Sequence, residues 1–86
     1  MDLSIIIPCY NEILALPKLL DDLSRQVGLS FEIIVADGNS TDGTRELVKG
    51  RGLNLVSSEK GRGRQLNRGA QVARGDFCLF FTPIAA

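Results

Sequence analysis

Histidine is missing from this 86-residue chain. Its absence removes His-based catalytic triads and His-containing metal sites. No apolar run approaches the roughly 20 residues that a membrane helix needs. The start, Met1-Asp2-Leu3-Ser4, has neither the basic opening nor the long apolar core of a signal peptide, which predicts a cytoplasmic protein without a transmembrane segment. Cysteine is scarce: Cys9 and Cys78 are far apart and match no metal or redox spacing, so both are expected to be reduced, small buried hydrophobes. Aromatics make up only 6% of the residues and do not interleave with the basic ones, which argues against nucleic acid as a partner. No pair of acids sits at a spacing that demands general acid–base work.

What is present has the size of one small domain, able to bury about 60–65% of its unfolded surface. The formal charge is zero but unevenly placed. Met1 to Asp42 holds seven acids and two bases, and Gly43 to Ala86 three acids and eight bases. Lys60, Arg62, Arg64, Arg68 and Arg74 form a basic segment that suits phosphate, or is simply a solvated helix face.

Periodicity organises the rest. Leu3 to Pro8 is β-branched and too short for a helix, so it reads as a buried parallel strand closed by Pro8. Leu16, Leu19, Leu20, Leu23 and Val27 recur at helical spacing and predict a helix from about Leu14 to Gln26, with Gly28 as its stop. Phe31 to Ala36 is a second strand. Thr41 or Asp42 can cap a helix over Gly43 to Lys49, stopped by Gly50 and Gly52. Leu53 to Ser57 is a weaker strand. A helix from about Arg64 to Arg74 follows, with Leu66, Ala70 and Ala73 as its buried stripe and Gly69 as a point of close approach to the sheet. Phe77 to Phe81 is a last, strongly apolar strand. This β-α-β-α-β-α-β order predicts an α/β fold, an open parallel sheet with helices on both faces and strand order 3-2-1-4. Ligands then belong in the crevice outside the carboxyl ends of the strands.

Three segments face that crevice. Pro8-Cys9-Tyr10-Asn11-Glu12 follows the first strand without the glycines of a dinucleotide fingerprint. Tyr10 offers a ring to a base and Asn11 and Glu12 offer polar groups; alternatively, Asn11 or Glu12 caps the first helix. Asp37-Gly38-Asn39-Ser40-Thr41-Asp42-Gly43-Thr44 ends the second strand on an acid. It fails as a calcium loop, because Asp42 stands where glycine is required and Val48 where a bidentate Glu is required. Either Asp37 accepts hydrogen bonds from a base or ribose, with Asn39 beside it, or the segment is only a turn and cap. Gly61-Arg62-Gly63-Arg64 opens like a phosphate loop, but Leu66 replaces the third glycine. Arg62 and Arg64 at a helix entry still suit a phosphate.

Taken in order, Ile7-Pro8-Cys9-Tyr10-Asn11-Glu12, then Val35 to Thr44, Gly63-Arg64-Gln65-Leu66-Asn67-Arg68-Gly69-Ala70 and Ala73-Arg74-Gly75-Asp76, the chain resembles the N-terminal half of an inverting family 2 glycosyltransferase of GT-A fold. The resemblance implies a nucleotide-sugar partner, a UDP-sugar by preference. It implies that Pro8, Tyr10 and Glu12 line the nucleotide pocket, that Asp37 accepts the imide N–H of uracil, and that Arg64 and Asn67 approach the base or diphosphate. Full-length members carry an Asp-x-Asp-like motif that holds Mg²⁺ or Mn²⁺. Here the chain reads Phe81-Thr82-Pro83-Ile84-Ala85-Ala86, with Ile84 near the position of that aspartate. The expectation is one partial nucleotide-sugar-binding domain over 1–86 with an aberrant 82–86 tail, a gene fragment or frameshifted product, inactive alone and holding no catalytic or metal residues. The bare last strand is expected to be an apolar edge open to self-association. The rival readings are a non-catalytic interaction module and a product that does not fold stably.

Overall fold

Ile5, Ile6 and Ile7 are all buried although neighbouring strand residues point to opposite faces, so the strand that carries them is covered on both sides. In the computed structural model, which describes residues 2–26, 28 and 30–83, this strand is β1 (Leu3–Cys9). It is followed by α1 (Leu16–Ser24), β2 (Phe31–Asp37), α2 (Thr44–Gly50), β3 (Asn54–Ser57), α3 (Arg62–Val72) and β4 (Phe77–Phe80). The strands are parallel in the order β3-β2-β1-β4, as the sequence pattern predicts. On one face Ile5, Ile7, Cys9 and Val35 pack with Leu16, Leu20 and Leu23 of α1 and Val48 of α2. On the other, α3 lies so close that a Cβ on Gly69 would stand 2.5 Å from Ile6 Cγ2.

That close approach turns α3 relative to the expected stripe. Gln65 and Gly69 are the buried positions, Leu66 and Ala73 are half-buried, and Ala70 is exposed. Pro8 does not close β1, which runs on to Cys9. Ile6 O accepts the Phe81 N–H toward β4, so the missing N–H of Pro8, two residues on, faces the same side beyond the last pair, Ile6↔Phe80. No ladder bond is lost there. Helix α1 starts at Leu16, where Pro17 in the first turn presets φ, and neither Asn11 nor Glu12 caps it. Gly43, with φ of 96°, is the N-cap of α2, while Asp42 one place earlier accepts the Thr44 N–H at 3.0 Å. Val27 of the expected α1 stripe lies outside the described residues.

The entry to β4 is tied to the sheet by one acid. Ser4 Oγ donates to Glu32 Oε2 at 2.6 Å, the Arg74 N–H donates to the same oxygen at 2.7 Å, and the Gly75 N–H donates to Ser4 Oγ at 2.8 Å. The Ser4 hydrogen bond above all holds the Glu32 carboxyl below its usual value. β4 itself is exposed along its whole length. Cys78 is therefore exposed, against the expectation of burial, because it stands on a strand that no described element covers. Cys9, in the sheet interior, is buried as expected.

Candidate functional site

At the carboxyl ends of β1 and β2 the two following loops are bonded to each other. The Asn11 N–H donates to Ser40 Oγ at 2.8 Å, and Asn11 Oδ1 accepts the Thr41 N–H at 2.8 Å. The Glu12 N–H donates to Thr44 Oγ1 at 3.1 Å and the Ile13 N–H to Asp42 Oδ2 at 3.1 Å. Burial alone would raise the Asp42 carboxyl, but hydrogen bonds from Thr44 and Ile13 outweigh it and hold the group below its usual value. Asn11 and Asn39 take positive φ, 53° and 69°, a conformation that asparagine tolerates better than most residues.

Asp37 sits beneath this seam and is fully buried. Its Oδ2 accepts the Ser40 N–H at 2.9 Å and the Arg45 guanidinium at 3.1 Å, and its Oδ1 accepts the Ser40 hydroxyl. Asp37 thus does not present a bare carboxylate to the crevice: its partners already hold the loop in shape. Tyr10 is exposed at the rim, with Lys60 Nζ 4.0 Å from its ring centroid, a cation–π contact. Cys9, next to it, is no nucleophile. Burial, reinforced by Glu12, Asp37 and Asp42, pushes its thiol up to about 12, where the thiolate is scarce at neutral pH.

The structure therefore brings Pro8, Tyr10, Asn11, Glu12, Asp37 and Asn39 to one end of the sheet. Arg64 and Asn67 line a shallow groove of about 460 Å³ with Ser58, Glu59, Arg68 and Gln71, and the Ser58 N–H donates to Asp37 O at 2.9 Å. Arg64 pairs there with Glu59 on the surface, and Arg62 is exposed outside that groove. Two residues were missed in sequence. Arg45 lies in the first turn of α2, where the helix dipole disfavours a cation, and that misplacement signals a nearby acid. Gln65 lies four residues before Gly69 and hence on the same helix face, which marks it as sheet-facing.

The family model described as Glycosyl transferase family 2 matches residues 4–82. The chain belongs to glycosyl transferase family 2. As a family member it is 34% identical over 94 residues to the dolichyl-phosphate beta-glucosyltransferase of Dictyostelium discoideum, covering 90% of this chain and 29% of that protein. The fold also matches S. aureus TarS 1-349 in complex with UDP-GlcNAc, with a TM-score of 0.84 and 34% identity over 95% of this chain and 26% of that one. A third match is glucosyl-3-phosphoglycerate synthase from Mycobacterium tuberculosis in complex with Mn²⁺, UDP and glucosyl-3-phosphoglycerate. There the TM-score is 0.84 and the identity 29%, over 95% of this chain and 33% of that one. The chain spans about a third or less of the length of these family 2 relatives. Among the described residues no helix is long and apolar enough to cross a membrane, and no three His, Cys, Asp or Glu side chains come together as a metal site. Ile84 and the end of the 82–86 tail fall outside the described residues.

Proposed function

We propose that the crevice at the ends of β1 and β2 binds the nucleotide of a nucleotide-sugar, a UDP-sugar by preference, as the donor-recognition part of a family 2 glycosyltransferase. The observation that carries this reading is the hydrogen-bonded seam between the two loops, built over the buried Asp37 and its partner Arg45. It supplies a preformed floor at the end of the sheet where parallel α/β folds take their ligands. Tyr10 gives a face for the base, and Asn11, Glu12 and Asn39 give polar groups around it. Arg62, Arg64 and Asn67, in the first half of α3, are left for the diphosphate.

The fold family implies Mg²⁺ or Mn²⁺, which in complete members neutralises charge on the departing diphosphate. The described residues do not fit such an ion, since no cluster of acids converges. The reading therefore runs through Asp37, Arg45, Tyr10 and Asn11, with no metal step. Titrating ¹⁵N-labelled protein with UDP is expected to shift the amides of Tyr10, Asn11, Gly38 and Ser40, with a Kd of about 0.1–1 mM. The same titration in EDTA and in Mg²⁺ is expected to give values within about twofold of each other, because the described residues hold no acid cluster for the ion. Unmoved amides at saturating UDP would overturn the reading.

One observation favours a second activity beside this one. Among the described residues β4 pairs with β1 alone, and Phe77, Leu79 and Phe80 are 74%, 47% and 52% exposed. Such an edge lacks the usual protection against strand pairing. Self-association through β4 predicts a concentration-dependent sedimentation coefficient that survives Asp37→Ala. A strictly monomeric species over the accessible concentration range would exclude it.

A further inference from the structure

Gln65 is 4% exposed, and its amide is spent entirely inside the molecule. Nε2 donates to Cys9 O at 2.7 Å and to Ala36 O at 2.9 Å. Oε1 accepts the Gly61 N–H at 3.2 Å. The two carbonyls belong to the residues immediately before Tyr10 and Asp37, and Gly61 immediately follows Lys60, whose ammonium stands over the Tyr10 ring. One side chain thus joins the three segments that carry the ring, the acid and the cation of the crevice.

The chemistry needs an amide. Two N–H groups on one nitrogen match two carbonyls on adjacent strands, while the oxygen matches the Gly61 N–H. Turning the amide over would place an oxygen against two carbonyl oxygens, so the orientation is set by its partners. Gly38 makes room for this seat: a Cβ there would meet the Gln65 amide carbon at 3.2 Å and Lys60 Cα at 3.1 Å. The Gly38 N–H also donates to Cys9 O at 2.9 Å, so the same carbonyl ties both loops.

We propose that Gln65 is a positioning residue for nucleoside recognition: it fixes the spacing of Tyr10, Asp37 and Lys60, and it touches no ligand itself. The proposal rests on the nucleotide reading given above. It separates Gln65 from an ordinary core residue, whose loss would lower stability and leave the affinity of the folded fraction unchanged.

The test uses Gln65→Met, of similar length without donors, and Gln65→Asn, which keeps the amide but is one methylene too short to span the gap. Both are titrated with uridine and with UDP by amide shifts, well below their melting temperatures. The expected result is that Kd rises about tenfold for uridine and by the same factor for UDP, because the defect lies on the nucleoside side. Amide shifts of the free variants are expected to cluster at Tyr10, Asp37 and Lys60. If Gln65→Met does not fold, Gln65→Asn decides the matter alone. A folded variant with lower stability and undiminished uridine affinity overturns the positioning role. Wild-type protein that binds neither uridine nor UDP overturns the nucleotide reading instead, and the two failures are thereby distinguishable.

Discussion

Gly75→Ala is expected to lower the melting temperature by more than about 10 °C. A Cβ at that position would stand 2.6 Å from both Leu3 C and Ser4 N, and 2.8 Å from Ser4 Oγ. Leu3 C and Ser4 N are main-chain atoms of β1, which is hydrogen-bonded to β2 on one side and β4 on the other, so they have nowhere to move. The same proximity lets the Gly75 N–H reach Ser4 Oγ, and a displaced Gly75 would loosen the Ser4–Glu32 tie as well. Gly69→Ala is a milder case. Its Cβ would meet Ile6, a side chain that can turn, although within a fully buried setting. Overpacking costs about 1–3 kcal/mol, against a helix-propensity gain of about 1 kcal/mol for replacing glycine. Gly63 has nothing within 4 Å of its would-be Cβ and lies on the exposed side of α3, so Gly63→Ala is expected to stabilise slightly. Thermal melts followed by circular dichroism would give the order Gly63→Ala, wild type, Gly69→Ala, Gly75→Ala from most to least stable. Equal melting for Gly75→Ala and wild type would contradict the packing described.

The elements of the fold were legible because each obeys a period: β-branched runs for β1 and β2, leucines at helical spacing for α1, glycines after α2. Those patterns reflect burial, which a sequence records directly. The parts that were not legible depend on what neighbours do. Apolar type alone puts the buried stripe of α3 on Leu66, Ala70 and Ala73. Gly69 presses onto Ile6, as its missing side chain predicts, but the other buried position is Gln65, whose amide donates to the Cys9 and Ala36 carbonyls. Cys78 reads as core by composition, yet no described element covers the faces of β4, the edge strand that the order 3-2-1-4 predicts. The acid at the end of β2 was recognisable in sequence. Its partner Arg45 leaves no periodic trace, and only its place in the first turn of α2 hints at a nearby acid. Arg62 and Arg64 suggest phosphate by their place at a helix entry, and both stand exposed in the first turn of α3.

Asp37→Ala is expected to cost the protein both stability and nucleotide affinity, and the two losses have separate causes. The stability loss follows from the carboxylate's partners. Without it the Ser40 N–H and the Arg45 guanidinium lose their acceptor. Breaking a fully buried ion pair costs about 3–5 kcal/mol, but the Arg45 side chain is 28% exposed and water can replace part of the contact. A loss of about 1–3 kcal/mol is the corresponding expectation. The affinity loss follows from the reading of Asp37 as the acceptor for a base N–H. A hydrogen bond to a charged acceptor is worth about 1.5–3 kcal/mol, which is about a tenfold to hundredfold rise in the Kd for UDP. Because Asp37 is buried, a base can reach it only if Ser40 or Arg45 yields one of its contacts. Arg45→Met removes a competitor for the carboxylate. It is therefore expected to lower stability by about 1 kcal/mol while keeping UDP affinity within about threefold of wild type. Asp37→Asn keeps the shape of the side chain and removes its charge, and should lose about as much affinity as Asp37→Ala with less loss of stability. Denaturant melts and UDP titrations on the three variants decide the matter. If Asp37→Ala folds and binds UDP as wild type does, Asp37 is an acid that shapes a turn and nothing more. If Arg45→Met loses affinity as steeply as Asp37→Ala, the pair acts by holding the loop, and the base is read by other groups.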